Sequence, residues 1–312
     1  MYVITGVRGS GKTVFMTDIS RTLAKDKRWV VVDLSVERDL LEGLATRRNK
    51  RKSLSQLFSD AQIDLSFFGL DLHIKEAQPI ADIDVTLEHM IEALLRANKC
   101  LLICTDEVVN NPHVRSFASV YQMLIRQDLP VFLLMAGLFE NIESLQNEKS
   151  LTFLYRAPKI RLEPLGIRSI AMNYKDTFGI HRESALKMAR CTNGYSFAFQ
   201  LLGYLTWELR GFDEQTIREY KAQLFDLSYD KIRKKLSPKD QYFAYGVASA
   251  QTSKVQDIQE CLGLKSNQLS PYRRRLMNKG IIDKSQRGKI SFTLPYFDEY
   301  VLEQYGEEDF TL

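Results

Sequence analysis

The chain has 312 residues, of which 45% are apolar and 26% charged, and it carries a mild net charge of +4. This length suits two or three domains, each with its own core. No apolar run reaches the ~18 residues that a transmembrane helix needs, and the first residues lack the pattern of a secretory signal. The four cysteines show neither a CxxC pair nor metal-ligand spacing. We therefore expect a cytoplasmic protein with reduced thiols and no membrane partner.

A short strand at residues 2–5 is predicted to lead into a glycine-rich loop, GVRGSGKT at residues 6–13, which matches GxxxxGK[ST]. The glycines let backbone N–H groups point inward and form an anion site at a helix N-terminus. The Lys12 ammonium can then reach the β and γ phosphates, and the Thr13 hydroxyl can ligate Mg²⁺. The motif predicts binding of ATP/ADP with Mg²⁺ through a set of eight loop residues: Gly6, Arg8, Gly9, Ser10, Gly11, Lys12, Thr13 and Val14. A glycine turn without nucleotide is the alternative.

The elements that follow the loop are a helix at residues 14–24, which has helical apolar spacing, and a strand at residues 29–34. The basic run at residues 47–52 is interpreted as a solvated helix end or loop, with nucleic-acid contact as the alternative. A hairpin is predicted at residues 63–74, where apolar residues alternate around a glycine.

A continuous apolar run at residues 100–104 is typical of a central parallel strand buried on both faces. Asp106 and Glu107 follow at its carboxyl end, where open α/β sheets bind ligands. We expect Asp106 to hold the magnesium ion with Thr13, and Glu107 to orient and deprotonate the attacking water. Strands often end in a solvated acid, so this interpretation depends on the preceding loop.

Further strands at residues 131–136 and 159–162 alternate with helices at residues 84–97, 113–127 and 139–146. Such alternation predicts an α/β fold with a doubly wound parallel sheet, a P-loop NTPase domain. Residues 166–235 then show helical periodicity with almost no strand signal, which predicts an all-helical lid with helices at residues 167–178, 182–191, 196–210 and 214–234.

The pattern changes again after residue 236. Ser237 is expected to cap a helix that runs to about residue 249, and helices at residues 255–262 and 267–278 should end at Gly263 and Gly280. Two short β runs at residues 281–285 and 289–294 complete a C-terminal winged helix-turn-helix.

Charge is segregated along this last part of the chain. Residues 237–295 contain ten Lys or Arg and four acids, a net charge of +6, whereas the last seventeen residues contain six acids and no base. We interpret this as a basic module followed by an acidic tail that includes Glu303, Glu307, Glu308 and Asp309.

With GVRGSGKT, LLICTDE and this C-terminal region, the chain resembles the AAA-plus-type P-loop ATPases, and more narrowly the prokaryotic group related to origin-recognition and STAND ATPases. The resemblance implies an ATPase domain at residues 1–163, a helical lid at 164–235 and a winged helix-turn-helix with the tail at 236–312. It also implies three catalytic residues, Lys12, Glu107 and Arg156, the last as an arginine finger or phosphate sensor.

Two positions depart from the family pattern. Strand 131–136 ends in Met135-Ala136-Gly137, where many relatives present a polar residue to the γ-phosphate. Ser196 replaces the proline of a Gly-x-Pro that packs near the base, which leaves that lid contact in doubt. Both departures favour slow hydrolysis or a nucleotide-controlled switch.

The third helix of the predicted winged helix supplies candidate contacts to double-stranded DNA. Short polar residues at its start could meet base edges, and basic residues of the helix and wing could meet phosphates. The set is Asn267, Gln268, Ser270, Arg273, Arg274, Lys284, Arg287 and Lys289. Winged helices also dock proteins, so a partner protein is the alternative.

Three functions are therefore weighed. The first is a DNA-linked ATPase. The second is a STAND-like switch with slow turnover, whose bound nucleotide controls self-association or a partner protein. The third, an interaction module with a vestigial site, is disfavoured by the intact Lys12, Thr13, Asp106 and Glu107.

Overall fold

The computed structural model describes residues 1–41, 44, 83–283 and 288–305. It divides into two compact units, Met1–Thr5 with Lys12–Arg161, and Gly6–Gly11 with Leu162–Leu312. Some predicted features lie outside the described residues: the basic run 47–52, the hairpin 63–74, Lys284, Arg287, Glu307, Glu308 and Asp309.

A parallel sheet forms the centre of the first unit. In the described part of the chain it has five strands, β1 (Tyr2–Thr5), β2 (Trp29–Leu34), β3 (Cys100–Thr105), β4 (Val131–Gly137) and β5 (Lys159–Arg161). Their order is β2-β3-β4-β1-β5, and every neighbouring pair is parallel. Strand β3 is central and is buried at all positions after Cys100, as its apolar run predicts.

Helices cover both faces of this sheet, which confirms the predicted doubly wound arrangement. They are α1 (Lys12–Leu23), α2 (Ile83–Arg96), α3 (Pro112–Arg126) and α4 (Phe139–Gln146), and a 3₁₀ helix follows at Lys149–Arg156. Helix α1 lies on one face, where Ser20 approaches Cys104. Alternate residues of β3, Leu101 and Ile103, point to the opposite face and share a core with α2 and α3.

The cysteines are all free thiols. Cys104 is buried, and this burial raises the pKa of its thiol to about 11. Cys261 is exposed. Among the described helices, none combines the length and apolarity needed to cross a membrane.

The second unit begins with the helices predicted for a lid: α5 (Ile167–Phe178), α6 (Arg182–Cys191), α7 (Ser196–Glu208) and α8 (Glu214–Leu224). The expected single helix at residues 214–234 is instead interrupted by a π-helical turn, Phe225–Tyr229, before α9 (Asp230–Arg233). The turn carries the stacked rings of Phe225 and Tyr229, which lie 5.7 Å apart between centroids. Apolar periodicity cannot reveal such a turn, because the helix continues on both sides of it.

The next helices are α10 (Pro238–Ser249), α11 (Val255–Leu262) and α12 (Ser266–Lys279). The predicted caps are present: the Ser237 hydroxyl accepts from the Asp240 N–H at 3.2 Å, and Gly263 and Gly280 have φ of 63° and 75°. Within the described residues of the two expected β runs, 281–283 and 289–294, the structure has isolated antiparallel bridges, which join Lys254 to Lys289 and Ile282 to Phe292.

Helix α13 (Phe297–Tyr305) corrects the interpretation of the last seventeen residues as a tail. Phe297, Tyr300 and Tyr305 are buried in the core of the second unit, and the acids lie on the exposed side of the helix. The charge count concealed an apolar spacing that is helical. A single core cluster extends from Ile170 to Tyr305, so the boundary at residues 235–236 stays a prediction.

An ion pair between a buried carboxylate and a partly exposed arginine joins two of the C-terminal helices. The Asp240 carboxylate, whose side chain is 4% exposed, accepts hydrogen bonds from the Arg275 Nε and Nη2 at 2.8 and 2.6 Å. The guanidinium also lies 4.8 Å from the centre of the Tyr272 ring. Arg275 therefore has a structural role.

Arg275→Ala should lower the free energy of unfolding by about 1–3 kcal/mol, because it leaves a buried carboxylate without its charged partner. Arg274→Ala is the matched control, since Arg274 is exposed and such surface changes typically stay within about 0.5 kcal/mol. Urea unfolding followed by circular dichroism measures both values. Equal stability of the two variants would contradict the structural role.

Candidate functional site

The loop Gly6–Gly11 is part of the second unit. Gly9 and Gly11 have φ of 76° and 89°, in the left-handed region that residues with a side chain rarely adopt. A turn within the loop brings the Ser10 N–H to 3.2 Å from the Val7 carbonyl oxygen. The glycine spacing of the motif thus has a conformational reason at both positions.

Three successive carbonyls of this loop accept hydrogen bonds from the start of helix α7. The Tyr195 hydroxyl donates to the Arg8 oxygen at 2.6 Å, the Phe197 N–H to the Gly9 oxygen at 3.0 Å, and the Ser196 hydroxyl to the Ser10 oxygen at 3.1 Å. In a planar trans peptide the carbonyl and the next N–H point in opposite directions. The N–H groups of Gly9 and Gly11 are therefore directed away from α7, as an anion site requires.

Sequence reasoning missed this contact. It treated Ser196 only as the loss of a family proline, whereas the Ser196 hydroxyl itself binds the loop. Tyr195 carries no sequence signal for the role, because a tyrosine at the start of a helix is ordinary.

The first unit brings together two of the predicted metal ligands. The Thr13 hydroxyl donates to one Asp106 carboxylate oxygen at 2.5 Å, although 93 positions separate the two residues in sequence. The other Asp106 oxygen accepts from the Glu107 N–H at 2.8 Å. In the described part of the chain no group of three or more His, Cys, Asp or Glu could hold a metal ion. A hydroxyl and a carboxylate suit Mg²⁺, which takes few protein ligands and completes its shell with water and phosphate oxygens.

Glu107 is exposed and has φ of 51°, a conformation rare for a residue with a side chain. The next residue fixes the turn, because the Val108 N–H donates to the Ala136 carbonyl at 2.9 Å. The Glu107 carboxylate thus projects from a constrained turn at the carboxyl end of β3, beside Asp106. Such outliers concentrate at functional sites.

The end of β4 is closely packed. A Cβ placed on Gly137 would lie 3.1 Å from the Val108 oxygen and 3.2 Å from Ile142, so a side chain at this position would require its neighbours to shift. Asn110, in the loop that follows β3, donates to Glu148 at 2.8 Å and to Ser144 at 3.1 Å. The polar group that the family resemblance places here is missing from this position.

Arg156 is exposed and ends the 3₁₀ helix that precedes β5. Lys159 pairs with Val3, and Val3 with Met135, which in turn pairs with Thr105. The first residue of β5 is thus level with the last residue of β3. Asp106 directly follows β3, whereas Arg156 lies three residues before β5. Three strand spacings, about 14 Å, also separate the two strands. The structure does not bring Arg156 to the Asp106 of the same chain.

Several of the predicted DNA contacts on α12 make hydrogen bonds within the chain. Arg273 donates to the Lys289 carbonyl at 3.2 Å, and Ser270 to the Ser266 carbonyl at 2.9 Å. The Gln268 side chain caps the helix by accepting from the Lys265 N–H. The exposed residues of the set are Asn267, Gln268, Ser270, Arg274 and Lys289.

Comparisons with known proteins bear on this arrangement. A family described as a domain of unknown function (DUF8462) matches residues 224–301. Among curated proteins none matches the sequence.

Solved structures are similar over nearly the whole chain. The Walker-type ATPase PABY2304 of Pyrococcus abyssi is 13% identical with a TM-score of 0.64, over 96% of this chain and 90% of that one. The ORC2 protein of Aeropyrum pernix, in ADPNP-ADP complexes, is 15% identical with a TM-score of 0.52, over 98% and 89%. The ADP form of the same protein is 14% identical with a TM-score of 0.50, over 98% of this chain and 88% of that one. This chain has the fold of the AAA-plus P-loop ATPases, of the type found in origin-recognition proteins.

Proposed function

We propose that this protein binds ATP with magnesium at the loop Gly6–Gly11 and the residues that follow it, and hydrolyses it slowly. The observation that carries the proposal is the pairing of Thr13 with Asp106, which unites the end of the GxxxxGK[ST] motif with the acid after β3. The amide directions at Gly9 and Gly11 support phosphate binding, and one similar protein, ORC2 of Aeropyrum pernix, was solved in ADPNP-ADP complexes.

Each residue then has a distinct task. Lys12 would neutralise the β and γ phosphates, while Thr13 and Asp106 would hold Mg²⁺, which supplies charge stabilisation to the phosphates. Glu107 would orient the attacking water and accept its proton. Turnover should be slow because no polar side chain ends β4.

Glu107→Gln should reduce steady-state ATP hydrolysis at least ~10²-fold, the lower range for loss of a general base, with little change in ATP affinity. Lys12→Ala should instead abolish nucleotide binding, because it removes the phosphate charge partner. Hydrolysis and equilibrium binding of ATP are measured for both variants. If the wild type turned over ATP no faster than Glu107→Gln, hydrolysis would be contradicted. Nucleotide binding would then be judged separately, by comparing the ATP affinities of the wild type and Lys12→Ala.

Arg156 is proposed to act on a neighbouring subunit, because it does not reach the Asp106 of its own chain. Arg156→Ala should lower turnover strongly, by up to ~10³-fold or more for an arginine finger, without weakening ATP binding. Mixing Arg156→Ala with Glu107→Gln subunits should restore part of the activity, since a mixed interface has one complete site. Absence of any restoration would rule out action in trans.

The C-terminal helices are proposed to form a winged helix that binds duplex DNA. Three helices followed by antiparallel bridges between residues 282 and 292, and from residue 289 back to 254, support this architecture. The exposed polar start of α12 and the exposed Arg274 and Lys289 support a DNA-facing surface.

The double variant Arg274→Ala, Lys289→Ala should weaken binding to duplexes of any sequence and lower the salt slope of log K by up to about 1.8, since each phosphate contact contributes ~0.9. Lys187→Ala plus Arg182→Ala is the charge-matched control, because both residues are exposed on helix α6. Fluorescence anisotropy at several salt concentrations gives the slopes. An equal effect of the two pairs would point to net charge alone.

A second candidate is a nucleotide-controlled switch whose winged helix binds a partner protein. The packed, apolar end of β4 favours it. ATP hydrolysis with and without duplex DNA separates the two functions: stimulation that falls with salt supports the DNA-linked ATPase, and ADP retained without turnover supports the switch. A cytoplasmic location stays a prediction in both cases.

A further inference from the structure

We propose that Tyr195 is a positioning residue of the nucleotide site, which orients the phosphate loop and connects it to the π-helical turn at Phe225–Tyr229. The inference rests on the proposed nucleotide binding and extends it to a residue outside the motif.

The direction of the hydrogen bonds follows from the groups present. A carbonyl oxygen has no proton, so the Tyr195 hydroxyl must donate to the Arg8 oxygen at 2.6 Å. The Ser228 hydroxyl lies 2.7 Å from the same phenol oxygen and must therefore be the donor in that second bond. Tyr195 is 4% exposed, and burial raises its pKa to about 12. It thus stays a proton donor throughout the physiological pH range.

Close packing makes this contact specific to the loop. A Cβ placed on Gly9 would overlap the Tyr195 hydroxyl and lie 2.9 Å from the Phe197 Cβ. Gly9 is therefore required twice, by its positive φ and by the approach of Tyr195. Rotation of the Arg8–Gly9 peptide would remove the acceptor of a buried phenol, which costs more than an exposed hydrogen bond.

The other partner of Tyr195 lies in an unusual helix turn. Ser228 belongs to the π-helical turn Phe225–Tyr229, and single π turns occur frequently at functional sites. The neighbouring Tyr229 is fully buried and donates to the Pro295 carbonyl at 2.5 Å. The hydrogen bonds thus continue from the phosphate loop, through Tyr195 and the turn, to the residues that precede helix α13.

Linkage gives the functional consequence. A nucleotide that binds the Gly9 N–H holds the same peptide plane that Tyr195 holds from the other side. Each contact therefore favours the other, by an equal factor in both directions. Nucleotide binding should stabilise the π turn, and loss of the Tyr195 hydroxyl should weaken nucleotide binding.

Tyr195→Phe in the full chain should raise the Kd for Mg²⁺-ADP about 3- to 10-fold, the factor that corresponds to one hydrogen bond. Tyr174→Phe is the matched control, because the buried Tyr174 hydroxyl donates to the Phe199 carbonyl at 2.7 Å and so joins helices α5 and α7 without contacting a loop carbonyl. Isothermal titration calorimetry gives Kd, and thermal melting gives stability. The control should lose stability and keep its ADP affinity.

A second variant addresses the loop without changing the buried core. Ser196→Ala removes the half-buried hydroxyl that donates to the Ser10 carbonyl and should raise the Kd for ADP by a smaller factor. Ser228→Ala retains the Tyr195 donation to Arg8 but removes the contact with the π turn, so it should raise Kd by a smaller factor than Tyr195→Phe.

Hydrogen exchange distinguishes a positioning role of Tyr195 from a merely structural one. Mg²⁺-ADP should slow exchange of the amides at residues 225–230 in the wild type, and this protection should be lost in Tyr195→Phe. Unchanged ADP affinity in Tyr195→Phe, or equal weakening in Tyr174→Phe, would overturn the inference alone. Wild-type protein that binds ADP no better than Lys12→Ala would overturn the proposed nucleotide site as well.

Discussion

A loop that binds phosphate must turn its N–H groups to one side, and its carbonyls then face the other side and need partners of their own. In this protein the start of helix α7 supplies those partners at three consecutive carbonyls, Arg8, Gly9 and Ser10. The glycines permit the required φ values, but they do not select one conformation. The three hydrogen bonds from the start of α7 favour one conformation of the loop. The geometry of the candidate site therefore depends on a segment almost two hundred positions away.

The topology of the sheet determines where Asp106 and Glu107 lie. Because β3 is central and parallel to its neighbours, the acid that follows it emerges at the carboxyl edge, on the face that carries α1. Thr13, in the first turn of α1, meets Asp106 there. Glu107 follows in a constrained turn that the Val108–Ala136 hydrogen bond fixes. The same register starts β5 level with the carboxyl end of β3, and Arg156 precedes β5 at a distance of three strand spacings from Asp106. Its action on a neighbouring subunit stays a proposal.

Aromatic residues carry much of the second unit. Tyr229 packs against Phe225, Phe297 and Tyr300 with ring centroids between 5.0 and 5.7 Å. Burial of each ring favours the fold strongly, while every buried hydroxyl requires a partner. Tyr195, Tyr229 and Tyr300 meet that requirement with Arg8, Pro295 and Asp230. The hydroxyl groups of these buried tyrosines thus form specific hydrogen bonds within a largely apolar core.

The sequence by itself determined the five strands of the sheet, most helix bounds and the caps at Ser237 and Gly263, because each depends on local spacing and local backbone preference. It also predicted that Thr13 and Asp106 share a site, and the structure brings these two side chains together. It failed where the cause was not local. The π turn carries rings that pack against residues about seventy positions away, helix α13 was concealed by its exposed acids, and the Arg275–Asp240 pair joins residues 35 positions apart. Only the tertiary structure decided that Tyr195 and Ser196 hold the loop and that Arg156 lies away from its own Asp106. Hydrogen bonds between distant segments, and the register of parallel strands, leave no periodic signal in the sequence.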